Sequence, residues 1–140
     1  MGESQLISGY SGKPLASKMG IKAGQRILIL HAPEDYEVTL GTLPDGVERV
    51  DELDGMFDLI QYFVTEHAAY ELDFPILRDH LTTAGMLWVS WPKKAAKMVT
   101  DLDENFIREF GLGNGLVDVK IIAVDERWSG LKFVRRLKDR

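Results

Sequence analysis

The chain has 140 residues, a formal net charge of −5 and no cysteine. This length fits one domain, and a hydrophobic share of 45% is typical of a packed core and too high for a disordered chain. The acidic balance argues against a nucleic-acid-binding protein, which usually carries a basic face. The lack of cysteine favours the cytoplasm, and no apolar run approaches the roughly 18 residues of a membrane-spanning helix.

The N-terminal segment divides into a polar arm and the start of the domain. Residues 1–12 are rich in glycine and serine and predict a flexible arm. A single domain is therefore expected over residues 13–140. It begins with a short helix in "KPLASKMGI", where Pro14 lies near the start and Gly20 ends the helix.

The first predicted strand is "RILILH", residues 26–31. Its four consecutive aliphatic residues do not alternate with polar ones. This pattern indicates a strand buried on both faces, as in parallel sheets covered by helices. Pro33, Glu34 and Asp35 follow and predict the first turn of a short helix, because proline and acidic residues favour that position.

The middle of the chain predicts two more strands and a longer helix. A turn cluster at residues 41–46 precedes a short strand at residues 47–50, and "FDLIQYFV" (57–64) is the next strand. Apolar residues then recur at helical spacing from residue 65 to about residue 81, and "TTAG" ends the helix. Pro75 predicts a kink or two shorter pieces.

The second half of the chain continues the alternation of strands and helices. "GMLWVSW" (85–91) is a buried strand, and Thr100 with Asp103 resembles a capping box for a helix over residues 101–110. "GLGNG" (111–115) is interpreted as a glycine helix terminus, because a phosphate loop would follow a strand instead.

"VDVKIIAVDERW" and "GLKFVRRL" predict a closing hairpin joined by "RWSG". The second of these strands is expected to run antiparallel to the rest of the sheet. The whole pattern predicts an α/β, three-layer Rossmann-like sandwich with a mostly parallel sheet and a C-terminal antiparallel hairpin strand.

Several of these segments resemble S-adenosylmethionine-dependent methyltransferases. "FDLIQYFV" resembles the fourth-strand motif of that family, "LTTAGMLWVSW" the passage into its fifth strand, and the hairpin its antiparallel seventh strand. "SGYSGKPLASKMGI", "HAPEDY", "ELDGMFDLIQYFV", "GMLWVSWPKK" and "VDERWSGLKFV" together are more narrowly similar to the bacterial DUF3052 family, over nearly the whole chain. The narrower resemblance implies a fold and a bacterial setting but no activity.

The resemblance also implies S-adenosylmethionine as a cofactor, which the first turn disfavours. Methyltransferases of this kind place an acid and a Gly-x-Gly turn after the first strand, so that the backbone can approach the cofactor. Here "LHAPEDY" takes that place, without glycine. Asp51 keeps the cofactor open, since it lies about 20 residues past the first strand, where such folds bind ribose hydroxyls. A plain acidic turn is the simpler explanation of Asp51.

Ligands of open parallel sheets bind beyond the carboxyl ends of the strands, where the strand order reverses. We expect the first strand and "FDLIQYFV" to flank that point, with "GMLWVSW" next to them. The predicted pocket combines polar and aromatic residues from these strand ends: His31, Glu34, Asp35, Tyr36, Gln61, Tyr62, Trp91, Pro92, Lys93 and Lys94.

Structural explanations compete with each of these roles. His31 could simply close a strand, and Glu34 and Asp35 could only favour a helix start. Trp91 with Lys93 and Lys94 could form the wall of an anion-accepting pocket, or an exposed basic loop. The sequence places no second His or Cys at metal-ligand spacing, so it predicts no metal site.

Three functions remain open from the sequence. The first is a non-catalytic or regulatory module that binds a small molecule, an anion or a protein on a degenerate methyltransferase-like fold. The second is a small methyltransferase with atypical cofactor binding. The third is a protein–protein adaptor that uses Trp128 in the hairpin connection together with the basic C-terminal tail, although Trp128 could also just cover the sheet edge. An exposed hairpin edge would allow a homodimer.

Overall fold

The computed structural model describes residues 13–140, so the predicted arm at residues 1–12 lies outside the described residues. The helices of the described chain are α1 (Leu15–Met19), α2 (Tyr36–Leu40), α3 (His67–Asp79) and α4 (Glu104–Gly113). The strands are β1 (Arg26–Leu30), β2 (Glu48–Val50), β3 (Phe57–Phe63), β4 (Leu81–Pro92), β5 (Leu116–Ala123) and β6 (Trp128–Arg135). None of the helices in residues 13–140 has both the length and the apolar content needed to cross a bilayer.

The six strands form one sheet in the order β2-β1-β3-β4-β6-β5. β1 pairs in parallel with β2 and with β3, and β3 pairs in parallel with β4. β6 is antiparallel to both of its neighbours, β4 and β5. The chain moves from β1 outward to β2 and returns to β3 on the other side, so the strand order reverses between β1 and β3. The predicted fold class is confirmed.

Helices cover both faces of the sheet and create two hydrophobic layers. α3 and α4 pack on one face, where Phe74, Ile107 and Phe133 are buried. α1 and α2 pack on the other face, where Met19 and Trp88 are buried. Burial of each large apolar side chain stabilises the fold by about 1.5–3 kcal/mol. The unalternating pattern of β1 therefore reflects two covered faces, as the sequence indicated.

The helix α3 differs from its prediction at its interior and at its end. It runs unbroken through Pro75 for 13 residues. The carbonyl of Glu71, which Pro75 cannot bond, belongs to an exposed residue that water can reach. "TTAG" does not end the helix but belongs to β4, because Leu81 already pairs with Phe57. Pairing with β3 overrides the local turn signal of these residues.

Two local predictions in the second half of the chain are wrong. The N-cap of α4 is Asp103, whose Oδ1 accepts from the Phe106 amide at 2.8 Å, whereas the Thr100 hydroxyl donates to the Thr65 carbonyl. Trp128 does not lie in the hairpin connection but opens β6. The turn before it is closed by Asp125, which accepts from the Trp128 amide at 2.9 Å.

Candidate functional site

The turn from β1 to α2 has left-handed backbone at two residues that are not glycine. His31 follows β1 directly and has a φ of 61°, and Asp35 has a φ of 64°. The side chains of His31, Glu34 and Asp35 are all exposed. A residue with a Cβ atom is strained in this region of backbone space. The chain thus keeps a glycine-like bend at the end of β1 without having a glycine there.

We predict that glycine is the better small residue at position 31. His31→Gly should exceed His31→Ala in free energy of unfolding by about 1 kcal/mol, because only glycine adopts this conformation without strain. Urea unfolding of both variants measures the difference. Ala32 does not have a positive φ, so Ala32→Gly should instead lower the free energy of unfolding by up to about 1 kcal/mol. Equal stability of the two position-31 variants would contradict the strain.

A cleft opens beyond the carboxyl ends of β1 and β3, where the strand order reverses. It consists of two adjoining cavities of about 250 Å³ and 190 Å³, which share His31, Tyr62 and Asp73. We call it the strand-end cleft. The remaining lining residues are Leu30, Leu53, Phe63, Val64, Thr65, Glu66, Ala69, Ile76, Leu77 and Trp128.

Tyr62 and Asp73 form the polar centre of the strand-end cleft. The Tyr62 hydroxyl donates to Oδ2 of Asp73 at 2.6 Å. Burial raises the pKa of the Tyr62 phenol, and the hydrogen bond to Asp73 and its charge raise it further. The phenol therefore stays protonated and fixes the orientation of the carboxylate. Oδ1 of Asp73 has no hydrogen-bond donor within residues 13–140 and can receive one from a ligand.

The lining of the strand-end cleft is acidic and aromatic. The His31 ring centroid lies 6.0 Å from that of Tyr62, and Trp128 packs edge-on against Phe63 at 5.0 Å. Glu66 adds a second carboxylate to the lining, and no Lys or Arg is among the described lining residues. Aromatic faces and carboxylates both attract cations. This arrangement suits a positively charged ligand and repels a phosphate.

Tyr36 and Gln61, two predicted pocket residues, lie in the core instead of the cleft. The Tyr36 hydroxyl donates to Oε1 of Gln61, and Nε2 of Gln61 donates to the Ser90 hydroxyl at 3.3 Å. Gln61 and Ser90 are fully buried. Burial raises the pKa of Tyr36. These side chains satisfy one another on the face of the sheet covered by α1 and α2.

The predicted wall of Trp91, Pro92, Lys93 and Lys94 lines a separate pocket of about 220 Å³. Its other lining residues are Leu102, Asp103, Glu104 and Ser129. None of these residues lines the strand-end cleft. Two carboxylates accompany the two lysines, so this pocket is not uniformly cationic. The structure thus divides one predicted rim into a cleft, a buried network and a second pocket, and anion binding here stays a prediction.

Solved structures with a similar fold include several methyltransferases. The DhpI–SAH complex matches with a TM-score of 0.60 at 10% identity, covering 97% of this chain and 89% of that one. Magnesium protoporphyrin IX methyltransferase from Synechocystis PCC 6803 with bound SAH matches at 0.57 and 12%, covering 95% and 81%. The ribosomal protein L11 methylase from Lactobacillus delbrueckii subsp. bulgaricus matches at 0.54 and 15%, covering 87% and 75%.

The chain has the fold of S-adenosylmethionine-dependent methyltransferases. No family model matches its sequence, and no curated protein matches it. The narrower resemblance to DUF3052 therefore stays a prediction. At these identities the likeness concerns the fold alone.

Within the methyltransferase fold, Asp51 follows β2 but does not reach the strand-end cleft. It lines a shallow depression with Arg26, Glu52 and Asp54, whereas Leu53 reaches the cleft. The ribose-binding role of Asp51 stays a prediction. Trp128 has only 6% of its surface exposed, so its ring borders the cleft and the core. Its role as a partner surface also stays a prediction.

Asp73, the central carboxylate of the strand-end cleft, is not among the pocket residues predicted from the sequence. Ala69, Asp73 and Leu77 recur every four residues, so they share one face of α3. That spacing was a usable signal for a common face. It does not reveal that this face meets Tyr62, which depends on how α3 crosses the sheet.

Proposed function

We propose that the chain is a small S-adenosylmethionine-dependent methyltransferase that binds its cofactor in the strand-end cleft in an atypical mode. The observation that carries the proposal is the set of residues that line the strand-end cleft, which lies where the strand order reverses. Carboxylates and aromatic rings line it, and the described lining contains no basic residue except His31. S-adenosylmethionine carries a sulfonium and an ammonium group, and both are cations that such a lining attracts.

Different parts of the cofactor would contact different groups of the cleft. Asp73 and Glu66 would hold the cationic groups, and Tyr62 would keep Asp73 oriented through its hydrogen bond of 2.6 Å. The left-handed backbone at His31 keeps the bend of a glycine turn but adds a side chain to the cleft. The cofactor would thus meet the His31 ring where a glycine turn would offer bare backbone. This replacement is the atypical element of the proposed mode.

The bound cofactor would supply an electrophilic methyl group, and the chain would supply the surrounding groups. Phe63, Val64 and Trp128 would exclude water from one side of the cleft. Tyr62 is no base, since its raised pKa keeps its proton on the phenol. His31 is the residue that could take a proton from an acceptor. Its ring lines the cleft and has no hydrogen bond to the rest of residues 13–140.

A binding module without catalysis is the second candidate. The observation that favours it is the turn "HAPEDY", where Pro33 lacks an amide donor and no glycine allows close backbone approach. Such a module would hold the same cationic ligand in the same cleft. The two candidates differ only in whether the methyl group leaves the cofactor.

Calorimetric titration with S-adenosylmethionine and with its demethylated product tests the cleft. We expect the sulfonium compound to bind more tightly than the neutral thioether. Asp73→Asn should weaken its affinity about tenfold to hundredfold, because a charge-assisted contact contributes about 1.5–3 kcal/mol. The affinity of the demethylated product should fall less, because its sulfur carries no charge. Asp79→Asn is the matched control, since Asp79 lies on the same helix, pairs with Arg78 and is outside the cleft.

Two results would sink the proposal. One is no heat of binding for either compound at about 1 mM with folded protein, a concentration that detects even weak sites. The other is an equal loss in Asp73→Asn and Asp79→Asn. Tight binding without any formation of demethylated product, across thiol, amine and hydroxyl acceptors, would favour the binding module over the methyltransferase.

A further inference from the structure

Lysines gather on the face of the sheet opposite to α3 and α4, away from the strand-end cleft. Lys120 of β5 and Lys132 of β6 are direct partners in the antiparallel register. On its other side Lys132 is the partner of Trp88, whose Nε1 donates to the Met19 carbonyl at 2.9 Å. Cross-strand partners point to the same face. Lys120 and Lys132 therefore share the face covered by α1.

The end of α1 adds two more lysines to this pair. Nζ of Lys120 donates to the Lys18 carbonyl at 3.5 Å, and Nζ of Lys18 donates to the Ala123 carbonyl at 3.4 Å. Lys22 follows in the next turn. Burial lowers the pKa of Lys132, and the charges of Lys120 and Lys22 lower it further. We call Lys18, Lys22, Lys120 and Lys132 the lysine face.

The positive charges of the lysine face are not offset in the way that the charge of Arg108 on α4 is offset on the opposite face of the sheet. On the opposite face, Arg108 contacts Asp118 at 2.9 Å and Glu104 at 2.6 Å. No lysine of the lysine face has an ion pair with a carboxylate of residues 13–140. Like charges directly opposite on neighbouring strands destabilise a sheet. In a chain with a net charge of −5, this local excess of positive charge is unbalanced.

Capping of α1 accounts for Lys120, which donates to the Lys18 carbonyl, but not for Lys22 or Lys132. Cations do favour the C-terminal end of a helix. Here, however, the Gly20 amide already donates to the Ser17 carbonyl, and the Ile21 amide donates to the Ala16 carbonyl. Lys22 and Lys132 donate to none of the carbonyls of α1. An external anion would reduce the repulsion between the lysines of the lysine face.

We propose that the lysine face binds the phosphoryl group of a water-soluble phosphorylated ligand. Lysine binds phosphate as a compact point charge with rotatable donors. Lys120 and Lys132 would share the dianion, since their Cβ atoms stand about 4.5–5.5 Å apart in such a pair. Lys22 would neutralise the remaining charge. The site shares no residue with the strand-end cleft and has the opposite charge, so it is independent of the methyltransferase proposal.

The test is an amide NMR titration with inorganic pyrophosphate at constant ionic strength. Saturable shifts should appear at Lys22, Lys120, Lys132 and their neighbours, and Lys120→Gln/Lys132→Gln should weaken binding by about tenfold or more. The matched control is Lys97→Gln/Lys138→Gln, which makes the same change in charge at exposed lysines that line none of the cavities described above and lie outside the lysine face. It should bind as the unmodified protein does.

Folding and ligand source are checked together with binding. Removal of the Lys120–Lys132 repulsion should leave the variant folded, with an unfolding midpoint no lower than that of the control variant. Unsaturated shifts up to about 10 mM pyrophosphate, a limit for weak specific sites, would overturn the proposal. Equal weakening in both variants would also overturn it. So would sedimentation with phosphatidylglycerol vesicles without any response to pyrophosphate, which would indicate a membrane surface.

Discussion

Gly111→Ala should destabilise the protein by about 2–3 kcal/mol, as expected for overpacking of a core. A Cβ atom on Gly111 would lie 2.2 Å from Cε1 of Phe133. The Phe133 ring is fully buried and packs edge-on against Phe74 at 5.3 Å, so it has no free space to move into. Urea unfolding followed by tryptophan fluorescence measures the loss.

Gly113 provides the matched control for this prediction. It is the last residue of α4, and a Cβ atom there would meet nothing within 4 Å. Gly113→Ala should therefore be neutral or gain up to about 1 kcal/mol, as alanine does in helices. Equal effects of the two substitutions would mean that the approach of α4 to Phe133 is not as close as described. The two substitutions also separate two roles of "GLGNG". The sequence predicted that these glycines end the helix, but it did not predict that Gly111 packs against Phe133.

Gln61→Leu should also lose about 2–3 kcal/mol of unfolding free energy. The substitution removes the partner of the Tyr36 hydroxyl and of the Ser90 hydroxyl. A buried polar group without a partner is destabilising by about 1–3 kcal/mol. Equilibrium unfolding in urea, with binding of S-adenosylmethionine measured on the same sample, is the experiment.

The triple variant Tyr36→Phe/Gln61→Leu/Ser90→Ala should recover most of that loss. Removal of all partners of a hydrogen-bond network leaves nothing unsatisfied and can be nearly neutral. Because these side chains do not line the strand-end cleft, ligand affinity should be unchanged. A stable triple variant that no longer binds the ligand would return Tyr36 and Gln61 to the binding site, as the sequence analysis predicted.

The elements and the fold class follow from local pattern and chain order. Consecutive aliphatic residues in β1 and β3 indicate strands that helices cover on both faces. Alternation of such strands with helical segments predicts a parallel sheet, and the closing hairpin predicts the antiparallel strand. The local predictions failed where tertiary contacts overruled residue preference. "TTAG" became part of β4 because Leu81 and Met86, the residues on either side of it, pair with Phe57 and Leu59 of β3.

The site was only partly accessible to sequence reasoning. The sequence indicated that ligands would bind where β1 and β3 end, and the strand-end cleft lies there. It could not reveal Asp73, whose helix had to be placed on the sheet first. Nor could it reveal the lysine face, since Lys18 and Lys120, which share a hydrogen bond, are 102 residues apart in the chain.

Gln61 and Tyr62 show most directly what the sequence determines and what it leaves to the tertiary structure. The sequence alone determined that both belong to one buried strand and that, as neighbours, they point to opposite faces. Only the tertiary structure decided which face each one meets. α2 brings Tyr36 to Gln61 in the core, and α3 brings Asp73 to Tyr62 in the cleft. Strand period is a local property of the backbone, whereas the partner across each face is set by helices packed from distant parts of the chain.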